Sequence, residues 1–290
     1  MSPGLCGLPA LGVLAYLGLG AGLFIGQRRL IYRPNRQGWE QVRSRAAGLG
    51  LRPWVDERRY LGFVHADGPT DPKGQILVFH GNAGTVLDRS YYLPDLEGLG
   101  YRVVLCEYPG YGAMPGKPCQ SGMVEAGIRA VEAALQDLGK APILIGESLG
   151  AAVAAAVAGS GQVEVGGLIL ITPWDSLANL AQQLYWYFPT RWFILDRFDS
   201  MKALSGFSKP VAVVMAELDQ VVPARNTLRL YESIGGHKRI WKLPSVGHNS
   251  WPCAVDRRWW REVLDFVEHG TQGPTIETGG SPLSGRPQTR

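Results

Sequence analysis

The chain alternates between short, uninterrupted apolar runs and longer mixed stretches. The runs "GQILVFH" (74–80), "YRVVLCEY" (101–108), "APILIGE" (141–147), "GGLILI" (166–171) and "PVAVVMAE" (210–217) are rich in Val, Ile and Leu. A strand with one wet face would alternate apolar and polar residues. Continuous runs predict strands buried on both faces of a parallel sheet. An earlier strand is expected in "RRYLGFVHA" (58–66). Helices are expected over 84–97, 121–138, 149–160, 225–234 and 251–268, so strand and helix alternate. The fold class is therefore α/β, a mostly parallel sheet flanked by helices.

Two stretches stand outside this alternation. About forty residues separate the strand ending near Ile171 from the one starting near Val211, and they include the aromatic-rich "QQLYWYFPTRWFILDRF" (182–198). Structureless loops of that length are rare in compact domains, which predicts a short helical cap over about 172–209. Its aromatics would either line an apolar substrate pocket or pack on one another. The second stretch, Leu5 to Gly26, carries no charge and is long enough to cross a bilayer as a transmembrane helix. No Lys or Arg precedes it and no strong cleavage site follows, as in an uncleaved anchor rather than a signal peptide. Gly18, Gly22 and Gly26 form small-xxx-small repeats, read here as a glycine-rich membrane segment. The expected organisation is a membrane anchor at 1–26, a basic connector at 27–57 and a folded domain at 58–269 that includes the cap. The tail at 270–290, poor in apolar residues, is expected to be disordered.

Composition changes this picture in one respect. The net charge is +4, yet nine arginines between Gln27 and Tyr60 face three acidic residues, so this stretch carries more than the whole excess. Basic residues directly behind an apolar segment point to a single-pass membrane protein with its domain on the cytoplasmic side. A nucleic-acid binder would spread them over a folded face, and none is expected as a partner. Four cysteines without a C-x-x-C pair exclude a disulfide framework and a zinc or redox site. No Walker loop, dinucleotide glycine pattern or cluster of metal ligands is present, so no cofactor and no metal are expected.

The candidate chemistry centres on "ILIGESLGAAVAAA" (143–156), an apolar strand that turns through Gly-Glu-Ser-Leu-Gly into an alanine-rich helix. Gly-x-Ser-x-Gly between strand and helix predicts a nucleophile elbow at Ser148, with glycines where the backbone approaches itself. A serine hydroxyl needs a base. Of the five histidines, His248 in "SVGHNSW" (245–251) is the best placed, on a loop before the last helix. The third member must orient the imidazole. Asp219 follows the 211–216 strand in "AELDQVVP", at the sheet end where α/β folds build their sites. Glu217 is its rival and Asp175 a third choice. Developing negative charge on a substrate oxygen requires two N–H donors. Leu149, after the nucleophile, supplies one, and Asn82 in "HGNAGT" (80–85) the other, with Ala83 as the alternative. His80 is read as a structural residue of that loop.

Together "VFHGNAG", "YPGYG", "GESLGAAVA", "DRFDS", "ELDQVVP" and "GHNS" resemble the α/β-hydrolase-fold serine hydrolases, over roughly residues 27 to 268. They are most similar to small members with an N-terminal membrane anchor and a short cap. The resemblance implies an α/β-hydrolase fold, Ser148 as nucleophile, Asp219 as acid and His248 as base, with Asn82 and Leu149 forming the oxyanion hole. The expected activity is hydrolysis of carboxylic esters or thioesters through an acyl-serine intermediate, on a small and lipophilic acyl substrate. A peptidase or amidase with the same triad, and a non-catalytic membrane-tethered interaction protein, are the alternatives.

Overall fold

The computed structural model describes residues 7–57, 59–270 and 276–277. Among the described residues the main sheet has nine strands, of which eight are longer than two residues: β1 (Leu51–Asp56), β2 (Arg59–His65), β3 (Gly74–Phe79), β4 (Tyr101–Cys106), β5 (Ile143–Glu147), β6 (Gly167–Ile171), β7 (Val211–Ala216) and β8 (Lys238–Leu243). Their spatial order is β1-β2-β4-β3-β5-β6-β7-β8, and the pair Ile276–Glu277 adds to the outer side of β8. The β1/β2 and β2/β4 pairs are antiparallel; the others are parallel. The apolar runs are continuous because both faces of the sheet are covered. Successive side chains point to opposite faces, and Ile76 and Val78 enter one core while Leu77 and Phe79 enter the other. Ile145 and Leu144 divide in the same way.

The described residues form ten α-helices: α1 (Gly7–Ile31), α2 (Trp39–Gly48), α3 (Leu93–Glu97), α4 (Gln120–Leu138), α5 (Leu149–Ala158), α6 (Leu177–Leu184), α7 (Thr190–Phe193), α8 (Ser200–Leu204), α9 (Ala224–Ser233) and α10 (Arg257–His269). Buried side chains of α4, α5 and α9 cover one face, and those of α2, α3 and α10 the other. The connection between β6 and β7 carries α6, α7 and α8. It leaves the carboxyl end of β6 and ends with α8 against the C-terminal end of α5, where a Cβ on Gly159 would lie 2.0 Å from Ala203 O; its middle part contacts α1.

Several expectations need correcting. Residues 27–57, expected as a connector, fold as the end of α1, then α2 and β1, with Val42 and Ala46 fully buried. The strand at β1 escaped notice because it lies at an edge, with Leu51 and Trp54 inward, Arg52 outward and a proline that only an edge strand tolerates. The charged residues of "KRIWKL" hid β8 similarly; Arg239 reaches Glu262 at 2.8 Å. The helix expected over 84–97 is a 3-10 segment, Val86–Tyr92, followed by α3. The last helix starts only at Arg257, capped by Asp256, whose carboxylate accepts from Trp259 N at 2.9 Å. Most of the tail expected to be disordered lies outside the described residues.

Helix α1 continues to Ile31, beyond the expected anchor end at Gly26, and places Arg28 and Arg29 in its last turn, where cations suit the helix dipole. Its residues Ala10–Ile31 are long and apolar enough to cross a membrane. Gly18, Gly22 and Gly26 face open space, whereas Gly20 meets the Phe188 ring.

Candidate active site

Between the end of β5 at Glu147 and the start of α5 at Leu149, Ser148 makes the turn alone, with φ 52° and ψ −111°. A non-glycine residue there is strained, and its surroundings must hold it. Ser148 N–H donates to Ile171 O at 2.9 Å, which extends the β5–β6 ladder into the turn. The flanking glycines are dictated by space. A Cβ on Gly146 would lie 2.3 Å from Gly150 O, and one on Gly150 would lie 2.0 Å from Phe79 O. Both obstacles are backbone, which no rotamer change relieves.

The loops after β7 and β8 bring the other two side chains to this turn. Leu218 N–H donates to Val246 O at 2.9 Å and ties the loops together. His248 Nε2 lies 3.0 Å from Ser148 Oγ, and His248 Nδ1 lies 2.7 Å from Asp219 Oδ2. The other Asp219 oxygen accepts from Val221 N at 2.8 Å and Val222 N at 2.7 Å, so the carboxylate cannot swing away. The rivals stand elsewhere. Glu217 is exposed. Asp175 is fully buried and accepts from Ser176 N, Asn179 Nδ2, Asn226 Nδ2 and Arg229 Nη1, which makes it an anchor for the cap. His65 pairs with Glu97, and His269 ends α10.

The loop after β3 passes beside the serine: a Cβ on Gly81 would lie 3.9 Å from Ser148 Cβ. Asn82 is clamped from three sides. Its carbonyl accepts from Arg33 N at 3.0 Å and Tyr111 OH at 2.9 Å, and its Nδ2 donates to Ile31 O at 3.1 Å. Leu149 opens α5, where N–H groups have no intrahelical acceptor and favour negative charge. Ala83 belongs to a two-residue ladder with Arg33–Pro34. Beneath the loop, His80 is fully buried with Nε2 2.9 Å from Glu107 Oε1, and Tyr108 OH donates to His80 O.

A model of the alpha/beta hydrolase family matches residues 76–246. The chain belongs to that family. The protein Rv2307c of Mycobacterium tuberculosis is 34% identical over 87% of this chain and 91% of its own length. The lysophosphatidylserine lipase ABHD12 of Danio rerio is 33% identical over 56% of this chain, which spans 49% of that protein. Among solved structures, Est1E of Butyrivibrio proteoclasticus superposes with a TM-score of 0.60, at 15% identity, over 74% of this chain and 99% of its own; that likeness shows the fold.

One cluster within this family frame was not read from the sequence. Glu147, directly before the serine, is buried and accepts from Tyr92 OH at 2.8 Å, from Tyr91 OH, and from Arg89 Nε at 3.0 Å. Burial raises the pKa of both phenols and neighbouring Glu147 raises it further, so they stay protonated donors. Burial works against the Arg89 charge, but Glu147 outweighs it and holds the guanidinium above its ordinary value. The strained turn therefore rests on a buried carboxylate held by Arg89 and by both tyrosines. The sequence signal was only an acid inside the Gly-x-Ser-x-Gly motif; its partners lie 55 to 58 residues earlier. Among the described residues, one grouping of acidic and histidine side chains comes close enough to hold an ion: Asp265, Glu268 and His269, all exposed on the last turn of α10.

Proposed function

We propose that this protein is a membrane-anchored serine hydrolase that cleaves carboxylic esters or thioesters through an acyl-Ser148 intermediate. The observation that carries the reading is the continuous chain from Ser148 Oγ through both nitrogens of His248 to Asp219, at 3.0 and 2.7 Å. Membership of the alpha/beta hydrolase family supports it, as do relatives named as lipases.

In this mechanism His248 Nε2 takes the Ser148 proton as Oγ attacks the substrate carbonyl, and Asp219 stabilises the imidazolium through Nδ1. The oxygen of the tetrahedral intermediate faces the N–H groups of Leu149 and Asn82. His248 then gives its proton to the leaving alcohol or thiol. A water attacks the acyl group with His248 as base again, and Ser148 leaves reprotonated. The partner is a small lipophilic acyl ester. The helix formed by α1 is the membrane anchor, and the arginines behind it assign the domain to the cytoplasmic side.

Labelling of detergent-solubilised protein with a fluorophosphonate tests the chemistry. Ser148 is expected to react in the wild type and labelling to vanish in Ser148→Ala. Absence of labelling in a folded wild type sinks the proposal and leaves a non-catalytic tethered protein. A reporter after Arg290 that reads as extracytoplasmic overturns the orientation.

A further inference from the structure

Helix α1 does more than precede the domain: it is bolted to the cap. Tyr16 OH donates to Tyr187 O at 2.8 Å, and the Tyr16 ring stacks on Phe188 at 4.7 Å. Nearer the domain, Gln27 Oε1 accepts from Leu195 N at 2.7 Å, and Arg28 Nε meets Asp196 at 2.9 Å. Tyr16 and Arg28 are twelve residues apart, which is about 18 Å along a helix. A hydrocarbon layer is about 30 Å thick. The cap's contact with Tyr16 therefore lies on the apolar stretch of α1 that is long enough to cross a membrane.

The cap has the surface for that position. Trp186 is 77% exposed and Trp192 70%, with Leu184, Phe193 and Leu195 more than half exposed around them. In water so large an apolar patch is a liability; in lipid it is an ordinary surface. Between α1 and the cap runs an apolar groove of about 620 Å³, walled by Ala21, Phe24 and Leu30 on one side and Ala181, Tyr185 and Phe188 on the other. That volume lies within the range of about 300–1,000 Å³ typical of ligand sites. Ile31 is among the residues that line the groove, and its carbonyl accepts from Asn82 Nδ2, in the loop beside Ser148.

We propose that the groove between α1 and the cap takes up the acyl chain of a single-chain lipid ester directly from the bilayer and guides its carbonyl toward Ser148. For the fate of the ester this rests on the serine-hydrolase reading; for the route it does not. The occupant is the lipid chain because one wall of the groove is the membrane-crossing segment itself, so the groove's outer mouth opens into hydrocarbon. The serine then hydrolyses the ester in place, water supplying the hydroxyl to the acyl group and the proton to the leaving alcohol.

The test uses full-length Ser148→Ala protein in phosphatidylcholine vesicles, with a lysophosphatidylcholine carrying a diazirine near its acyl terminus. After illumination, adducts are expected on Phe24, Phe188 and their neighbours, and at least tenfold fewer when Ala21→Trp is added. Adducts spread over the outward face of α1 around Leu14 and Ile25, and insensitive to Ala21→Trp, overturn the proposal. With Ser148 intact, Ala21→Trp and Ala181→Trp, on opposite walls, are expected to lower the ratio of lysophosphatidylcholine to p-nitrophenyl butyrate turnover at least tenfold. An unchanged ratio in both variants, with fluorophosphonate labelling retained, refutes the route. Because crosslinking needs no catalysis, groove adducts in a protein that hydrolyses neither ester would uphold the route and sink the hydrolase reading alone.

Discussion

Gly150→Ala adds a single methyl group at the point where the elbow, the central strand and the oxyanion loop meet. The new Cβ would sit 2.0 Å from Phe79 O, 2.5 Å from Phe79 C and 2.7 Å from His80 O. A carbon approaches a carbonyl oxygen no closer than about 3 Å, so α5 and the end of β3 must separate by about 1 Å. Relief by a rotamer change is impossible, since alanine has none and the obstacles are backbone. Overpacking of this kind costs about 3 kcal/mol. The displaced residues, Phe79 and His80, lead straight to Asn82, so the two proposed N–H donors, those of Leu149 and Asn82, move apart by a similar distance. Misplacement by about 1 Å at a reacting centre lowers rate by about 100-fold. Gly206→Ala is the control, because a Cβ there meets nothing within 4 Å. Urea unfolding followed by tryptophan fluorescence reads the stability, and the second-order rate of fluorophosphonate labelling reads the site. Gly150→Ala matching Gly206→Ala in both would refute the account of why glycine stands at 150. Loss of stability with an unchanged labelling rate would refute the coupling to the oxyanion loop.

Three further substitutions probe separate parts of the site. Asp219→Asn is expected to lower the labelling rate by about 10⁴-fold by favouring the wrong His248 tautomer, whereas Glu217→Gln leaves it within twofold; equal effects would restore Glu217 as the rival. Glu107→Ala removes the buried partner of His80 and opens a cavity, an expected loss of about 3 kcal/mol in urea unfolding, and a loss under 1 kcal/mol would show that the pair is not needed. Burial pushes the Asp88 carboxyl up, but Arg45 and the Thr85 N–H outweigh this and hold it below its usual value. Its stabilising contribution is therefore present above the unfolded carboxylate pKa and lost as pH falls through the folded one. Asp88→Asn should differ from wild type in urea midpoint at pH 7 and converge with it at low pH; a gap that persists or widens on acidification reverses the assigned sign.

What the sequence revealed and what it hid divide along a physical line. Ser148 and Asp219 stood out because each sits just past an apolar run, at the sheet end where an α/β fold gathers its loops, and His248 because it lies on a loop before the last helix; the three side chains come within hydrogen-bond distance of one another. Gly146 and Gly150 were legible because a strand cannot turn into a helix over one residue with side chains in the way. The Glu147 cluster was not, since its partners arise in a 3-10 segment that reads as a plain helix, and only folding brings Arg89, Tyr91 and Tyr92 to it. The edge strand β1 was masked by arginine and proline, residues that mark a connector in sequence and an edge in structure.

The union of α1 with the cap was the least legible, because 168 residues separate Arg28 from Asp196 and no pattern in either announces the other. Yet it bears most on function. The carbonyl that ends α1 at Ile31 holds the Asn82 side chain, and Arg33 holds the Asn82 backbone carbonyl. One helix therefore touches the apolar surface of the cap at one end and the oxyanion loop at the other. On the proposed route, the seating of α1 in the bilayer would set both the mouth of the groove and the position of Asn82 beside Ser148.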